Sequence, residues 1–238
     1  MKNTALFFCS LSVLSFSLFI CSCTSKKGTG AIVTEARKVG EVTSIDLEMD
    51  ATVYLIKGDT QNVVISAQQN ILDVLKTELS SGKLEIKTSE SISVTEPIQI
   101  WITVKTIEDI ELNGAGSIVS TTEFNSEKVT ADVSGSGKIS LVLNSEKFSG
   151  DVSGSGDIYL KGKIEKGNFE ISGSGNIYAV ECEIDICKID INGSGNAKLN
   201  VMTELDAGIN GSGAVLYSGN PKKVKSDING SGRIAKME

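Results

Sequence analysis

Asp151-Val152-Ser153-Gly154-Ser155-Gly156-Asp157-Ile158 is the stretch that decides the fold, because versions of it return along the rest of the chain. Between Gly114 and Gly232 its central Gly-x-Gly occurs seven times, opening at Gly114, Gly135, Gly154, Gly173, Gly193, Gly211 and Gly230 and closing at Gly116, Gly137, Gly156, Gly175, Gly195, Gly213 and Gly232. The steps are 21, 19, 19, 20, 18 and 19 residues. A fixed period near 19 residues marks stacked repeats, each burying itself against its neighbours. Two residues before each pair stand Leu112, Val133, Val152, Ile171, Ile191, Ile209 and Ile228; two residues after it stand Ile118, Ile139, Ile158, Ile177, Ala197, Val215 and Ile234. All are apolar in a chain that is only 40% hydrophobic. A further column six before the corner holds Val129, Phe148, Gly167, Cys187, Leu205 and Val224, with Glu108 the exception in the first unit. The residues between are mostly Asp, Glu, Lys, Asn and Ser. Apolar alternation with period two on both sides of a glycine pair predicts strand, corner, strand.

The corner chemistry agrees. Glycine accepts positive φ and lets backbones approach closely. The residues before the pairs, Asn113, Ser134, Ser153, Ser172, Asn192, Asn210 and Asn229, bond well to local backbone in turns. Stacked about 4.8 Å apart, six steps make a rod of roughly 29 Å, with each apolar column a continuous stripe of core. The expected fold is all-β: a single-stranded parallel β-helix with coils of about 19 residues, right-handed by the usual crossover preference. Residues 31–238 read as one domain, with irregular coils and a hairpin over 31–108 and seven regular repeats over 109–238; a boundary near residue 108 is the alternative.

In the N-terminal half, Val53-Tyr54-Leu55-Ile56 and Val63-Val64-Ile65 read as strands separated by a turn at Lys57-Gly58-Asp59-Thr60. Asn70 is placed to cap a short helical turn over Ile71–Leu75. Leu79-Ser80-Ser81-Gly82-Lys83-Leu84 reads as a hairpin turn, and Ile98 to Lys105 as the strongest strand. In the repeats, Tyr159–Lys166 and Val180–Ile186 read as loops.

The chain of 238 residues has 24 glycines, two prolines and 5% aromatics, which suits an all-β repeat domain. Lys2 followed by the apolar stretch from Ala5 to Ile20 reads as a secretory signal over residues 1–22, too short for a stable transmembrane helix. Ile20-Cys21-Ser22-Cys23 resembles the lipobox of bacterial lipoproteins, although Cys21 departs from the pattern. That resemblance implies cleavage before Cys23, a diacylglyceryl anchor on it, a tether over 23–30, and an outer-membrane location on either leaflet. Without Lys2 the chain keeps 22 basic against 30 acidic residues, and no Lys/Arg run appears, so nucleic acid is not an expected partner. Cys182 and Cys187 remain, as buried thiols or as a disulfide.

Chemistry is mostly excluded. The chain has no histidine, which removes Ser-His-Asp and Cys-His catalysis and His-ligated zinc or haem. None of the seven glycine pairs continues as a nucleotide loop, and no cofactor is expected. An acidic series, Glu111, Asp132, Asp151, Glu170, Asp190 and Asp227, precedes the buried column and is interrupted only by Gly208. Stacked carboxylates repel; Asp132, Asp151, Glu170 and Asp190 are candidate calcium ligands, with the alternative that Lys128, Lys147 and Lys166 neutralise them on a solvated face. Trp101 is out of phase with Ile98, Ile100, Ile102 and Val104 and so points outward, either to stack on a sugar ring or partner or to be covered by the segment near Ile71–Leu79.

A lipoprotein-like signal, then Val53-Tyr54-Leu55-Ile56-Lys57-Gly58, Leu84-Glu85-Ile86, and recurring Leu112-Asn113-Gly114-Ala115-Gly116 or Val152-Ser153-Gly154-Ser155-Gly156-Asp157-Ile158 units resemble the head GIN domain family over nearly the whole mature chain. The resemblance implies a β-helix and an adhesin role in the envelope of Bacteroides-like bacteria, and it supplies no catalytic residues. The expected function is a non-catalytic adhesin-like module for a surface glycan or protein. A polysaccharide-degrading β-helix enzyme and an end-to-end homo-oligomeric scaffold are the rivals.

Overall fold

A computed structural model describes residues 25–237. The signal over residues 1–22 and the lipidation expected at Cys23 lie outside them. The N-terminal part carries β1 (Lys26–Lys27), β2 (Ile32–Arg37), β3 (Ser44–Leu47), β4 (Thr52–Lys57), β5 (Asn62–Gln68), helix α1 (Gln69–Leu72), β6 (Leu75–Ser80), β7 (Lys83–Thr88), β8 (Ile92–Ser93) and β9 (Gln99–Val104). The repeats follow as β10 (Asp109–Gly114), β11 (Ser117–Ser120), β12 (Phe124–Gly135), β13 (Lys138–Gly154), β14 (Asp157–Gly173), β15 (Asn176–Gly193), β16 (Asn196–Gly211), β17 (Ala214–Ser218), β18 (Lys223–Gly230) and β19 (Arg233–Lys236).

The repeats form the parallel β-solenoid that the glycine period predicts. Pairing from β10 onward is parallel and like sits on like: Gly135 beside Gly154, Gly154 beside Gly173, Val152 beside Ile171, Ile171 beside Ile191. Each coil therefore returns to its starting position after one lap. The corners show why glycine is required. Gly173 has φ +129°, and a Cβ on it would collide with the Gly154 carbonyl one coil below. That carbonyl instead accepts the Ser174 N–H at 2.8 Å, and the same bond recurs from Ser155 N–H to Gly135 at 2.8 Å. The corner serines themselves are exposed.

Burial alternates along each coil and slips once. In β13 the buried positions run Ile139, Leu141, Leu143, Ser145, and then Phe148, Gly150, Val152, with Glu146 and Lys147 both exposed between them. Two successive outward residues turn the chain round a bend while keeping its apolar side inward. Glu127-Lys128 and Glu165-Lys166 make the same slip in β12 and β14. The stretches expected as loops at Tyr159–Lys166 and Val180–Ile186 are parts of continuous strands, with register irregularities after Tyr159 and Ala179.

The N-terminal part joins the same core in a non-sequential order. β3 pairs in parallel with β10, and β4 with β11, so Ser44–Lys57 is another coil, with Met49-Asp50-Ala51 at the corner. A further coil lies beyond it, because β7 pairs in parallel with β3 and β9 with β4. Antiparallel strands then cover that end: β6 on β7, β5 on β9, and β2 on β5. The expected hairpin is present, with Ser81 at φ +49° and Gly82 at φ +84°. The helical turn is shifted: it spans Gln69–Leu72 and its N-cap is Gln68, so Asn70 lies inside it. The Asn70 amide instead donates to the Lys27 carbonyl at 2.8 Å and accepts the Thr29 N–H at 3.0 Å, holding the segment that contains β1. One apolar cluster runs from Val42 to Val215 through both parts. At the far end the strand edge is bare among the described residues, and Val224 and Ile228 are 43% and 41% exposed.

Candidate functional site

Two long outer faces flank the corners. The strands entering them carry the acidic series in one column: Glu85 beside Asp46, Asp46 beside Glu111, then Asp132, Asp151, Glu170 and Asp190. Lys83 relieves repulsion at its N-terminal end, reaching Asp46 at 3.0 Å and Glu111 at 2.6 Å. Lys188 reaches Asp190 at 3.0 Å. The lysines expected to neutralise the column do not do so. Lys128, Lys147 and Lys166 stand beside one another in a row of their own at the bend, four residues before the acidic column. Consequently Asp132 has no lysine partner, and burial together with the charge of Asp151 pushes its carboxyl up to about 6. Asp109 is also raised, first by burial and then by its hydrogen bond with Glu111. Among the described residues, no three Asp, Glu or Cys side chains converge tightly enough to hold a metal ion. Parallel stacking places carboxylates along the rod instead of round a centre.

The strands leaving the corners carry a different chemistry. Trp101 points outward and is half-buried, as its phase predicts. Its neighbours are on paired strands: Tyr54, stacked on it with centroids 5.6 Å apart and planes at 20°, and Val64 from antiparallel β5. The same outward column continues through Val119 and Ser140 to Tyr159 and Tyr178. Those two rings stack at 4.8 Å and 22°. The Lys138 Nζ lies 5.6 Å from the Tyr159 centroid, a cation–π contact.

Alongside runs a polar ladder. The Asn176 Nδ2 donates to Asp157 Oδ1 at 2.9 Å, and the Asn196 Nδ2 donates to Asn176 Oδ1 at 3.1 Å. The Tyr159 phenol is held protonated, raised by burial and by the charge of Asp157. This face combines apolar rings with amides and a carboxylate that have hydrogen-bonding capacity to spare. Sequence reasoning singled out Trp101 but missed Tyr54, Tyr159, Tyr178 and the ladder. The available signal was that Tyr159 and Tyr178 stand three residues after successive corners, as Asp157 and Asn176 stand one after.

Elsewhere, a hollow of about 680 Å³ follows the bend between Asn125, Glu127, Asn144, Glu146, Lys163 and Glu165. Its three glutamates come from successive coils. Cys182 and Cys187 are unbridged and buried; burial pushes the Cys182 thiol up to about 12 and raises Cys187 as well. Both are therefore core thiols without thiolate character.

The fold and its outer faces define a parallel β-solenoid with coils of about 19 residues. The chain belongs to the family described as "Putative auto-transporter adhesin, head GIN domain", whose pattern matches residues 41–221. A crystal structure of a "putative adhesin" from Bacteroides fragilis is 22% identical with a TM-score of 0.83, covering 89% of this chain and 99% of the other. A "putative lipid binding protein" from Parabacteroides distasonis is 22% identical with a TM-score of 0.74, covering 90% and 100%. A "putative adhesin" from Parabacteroides merdae is 18% identical with a TM-score of 0.69, covering 89% and 98%. At these identities the likeness is one of fold. No curated protein matches the chain.

Proposed function

We propose that this protein is a non-catalytic, adhesin-like module of the bacterial envelope, anchored through lipid on Cys23, which binds its ligand along the outer face bearing Trp101, Tyr54, Tyr159 and Tyr178. The family and the fold neighbours support the adhesin-like role. Aromatic side chains left half-exposed on a rigid sheet carry the assignment of the face. Two stacked aromatic pairs kept half-exposed in one outward column offer ring edges and phenol hydroxyls to a ligand. Against catalysis stands the arrangement of the carboxylates, which follow the rod in a column; a glycosidase needs two facing one another across a bond. No helix among the described residues is long and apolar enough to cross a membrane; the proposed attachment at Cys23 rests on the lipobox-like Ile20-Cys21-Ser22-Cys23.

Residues 25–238 contain the whole described fold and serve for the binding test. Fluorescent protein should decorate isolated bacterial or host cell surfaces, and Trp101→Ala combined with Tyr178→Ala should abolish decoration without loss of folding. Decoration unchanged in that variant would overturn the assigned face. Release of reducing ends from polysaccharides would overturn the non-catalytic reading. For the anchor, full-length protein should incorporate labelled fatty acid, and Cys23→Ala should not; equal labelling of both would refute it.

A further inference from the structure

We infer that the end of the solenoid closed by antiparallel strands is a bilayer-seating surface. It rests on phospholipid headgroups through Ile32, Val33 and Leu79, and the coils stack away from the membrane. The inference rests on the lipid anchor proposed at Cys23; it adds the surface that meets the lipid and the direction in which the rod stands.

The first ground is the length of the leash. Only Thr24 separates Cys23 from Ser25, where the described residues begin. Successive Cα atoms are about 3.8 Å apart, so the anchored cysteine lies within about 8 Å of Ser25. From Lys26 onward the chain is fastened to the body, and the tether expected over 23–30 is not free beyond Ser25. The Lys26 N–H donates to the Ser91 carbonyl at 2.7 Å and the Gly28 N–H to the Ser93 carbonyl at 2.9 Å, alongside the pairing of β1 with β8. Asn70 holds the Lys27 carbonyl and the Thr29 N–H, and the Gln68 Nε2 donates to the Gly30 carbonyl at 3.0 Å. A free segment over 23–30 would let the body drift roughly 25 Å from the lipid; two residues keep it at the headgroups.

The second ground is where the fastening sits. Gln68 ends β5, which carries only β2 beyond it. Across the end of the core β2 meets β6, because the Arg37 Nη1 donates to the Leu75 carbonyl at 3.0 Å and to Thr77 Oγ1 at 3.2 Å. The end so closed keeps Ile32, Val33 and Leu79 exposed. Val33 and Leu79 lie opposite the buried Ala67 and Leu84 in their strand pairs. Directly opposed side chains share a side of the sheet, so these two project over the end of the core and not onto the long faces. Lys27 and Lys38, both exposed, stand before and after β2 in the chain and suit an anionic headgroup layer.

The third ground is the chemistry of the sides. One long face bears the acidic column, which anionic lipid repels. The corner edge presents exposed serines. Seating on the end leaves the aromatic face in solvent, free for its ligand.

Trp101 is the chain's single tryptophan and stands two strand spacings from the edge of β2, roughly 10 Å. Full-length lipidated protein in vesicles of phosphatidylethanolamine and phosphatidylglycerol, doped with a dansyl-headgroup lipid, should show strong energy transfer from Trp101. Asn220→Trp in a Trp101→Phe background places the donor about seven spacings, roughly 34 Å, farther along the rod, and should lose most of that transfer. A Gly-Ser spacer of about 20 residues between Thr24 and Ser25, with a reach of roughly 25 Å, should lose most of the Trp101 transfer at an unchanged melting temperature. Val33→Glu with Leu79→Glu should lower it with the leash intact. Equal transfer from the two donor positions would mean that the rod lies on a long face, and would overturn the proposal. Transfer unchanged by the spacer, or by the glutamate pair, would overturn it too. Protein that carries the fatty-acid label on Cys23 yet keeps Trp101 far from the lipid removes only the seating surface; absence of that label removes the anchor itself.

Discussion

Residues 109–237 and residues 25–108 build one core by opposite means, and the difference shows what the glycines are for. In the repeats each coil is the template for the next, so every corner must approach the one below it; Gly135 illustrates this, because a Cβ there would come within 2.6 Å of the Gly114 carbonyl. In the coil over Ser44–Lys57, Met49-Asp50-Ala51 turns the same corner without glycine. Gly114 lies over that corner and has nothing within 4 Å of its would-be Cβ, although its φ is +129°. Positive φ and close approach are thus separate demands. From Gly135 to Gly230 the first glycine of every corner meets both.

Core burial should break first. Ile171 is fully buried, between Val152 and Ile191. Ile171→Lys should cost about 5 kcal/mol or more, because an unpaired charge replaces a packed side chain. Thermal unfolding should show a lost or grossly lowered transition; an unchanged one would contradict the stacked-coil picture. Next come the corners. Gly173→Ala, with strain and collision together, should cost about 3–4 kcal/mol, whereas Gly114→Ala should cost only the left-handed strain of about 1–2 kcal/mol. Equal urea midpoints for the two variants would show that close approach contributes nothing.

The acidic column sharpens the contrast electrostatically. Its N-terminal end is clamped by Lys83, whose own pKa is raised by its hydrogen bond to Glu111. Asp132 lacks such a clamp and is pushed up to about 6 from 3.8. A carboxyl raised in the folded state binds its proton more tightly than in the unfolded chain. Its protonation therefore favours folding, and this contribution is lost as pH rises from about 4 through 6. Asp132→Asn should raise the melting temperature at pH 7.5 by about 2–4 °C and leave it almost unchanged at pH 3.5; a larger gain at the acid end would have the sign wrong. The smallest effect belongs to the N-terminal corner, where Ala51→Gly should lower stability by less than about 1 kcal/mol.

Much of the regular part was legible because a solenoid stacks identical positions. The period gives the coil length, and the apolar columns give the inward residues. The phase of Trp101 likewise showed that it points outward. The coil containing Met49-Asp50-Ala51 was not legible, since its corner lacks the glycine signature while its inward residues, Ile45, Leu47, Val53 and Leu55, look like those of any strand. Asn70 looked like a cap, but backbone packing of the β1 segment recruited its amide first. Lys128, Lys147 and Lys166 sit at the right spacing to neutralise the acids, but the bend at each Glu-Lys pair turns them away.

By itself the sequence determined the all-β class, the nineteen-residue lap and the glycine corners, because each depends on a local pattern repeated at short range. Only the tertiary structure decided that the early coils stack out of chain order and that antiparallel strands cover one end. It also decided that Trp101 lies against Tyr54, 47 residues away in the chain. Such pairings are chosen by which edges remain open once the other strands have packed, and no local window of residues contains that information.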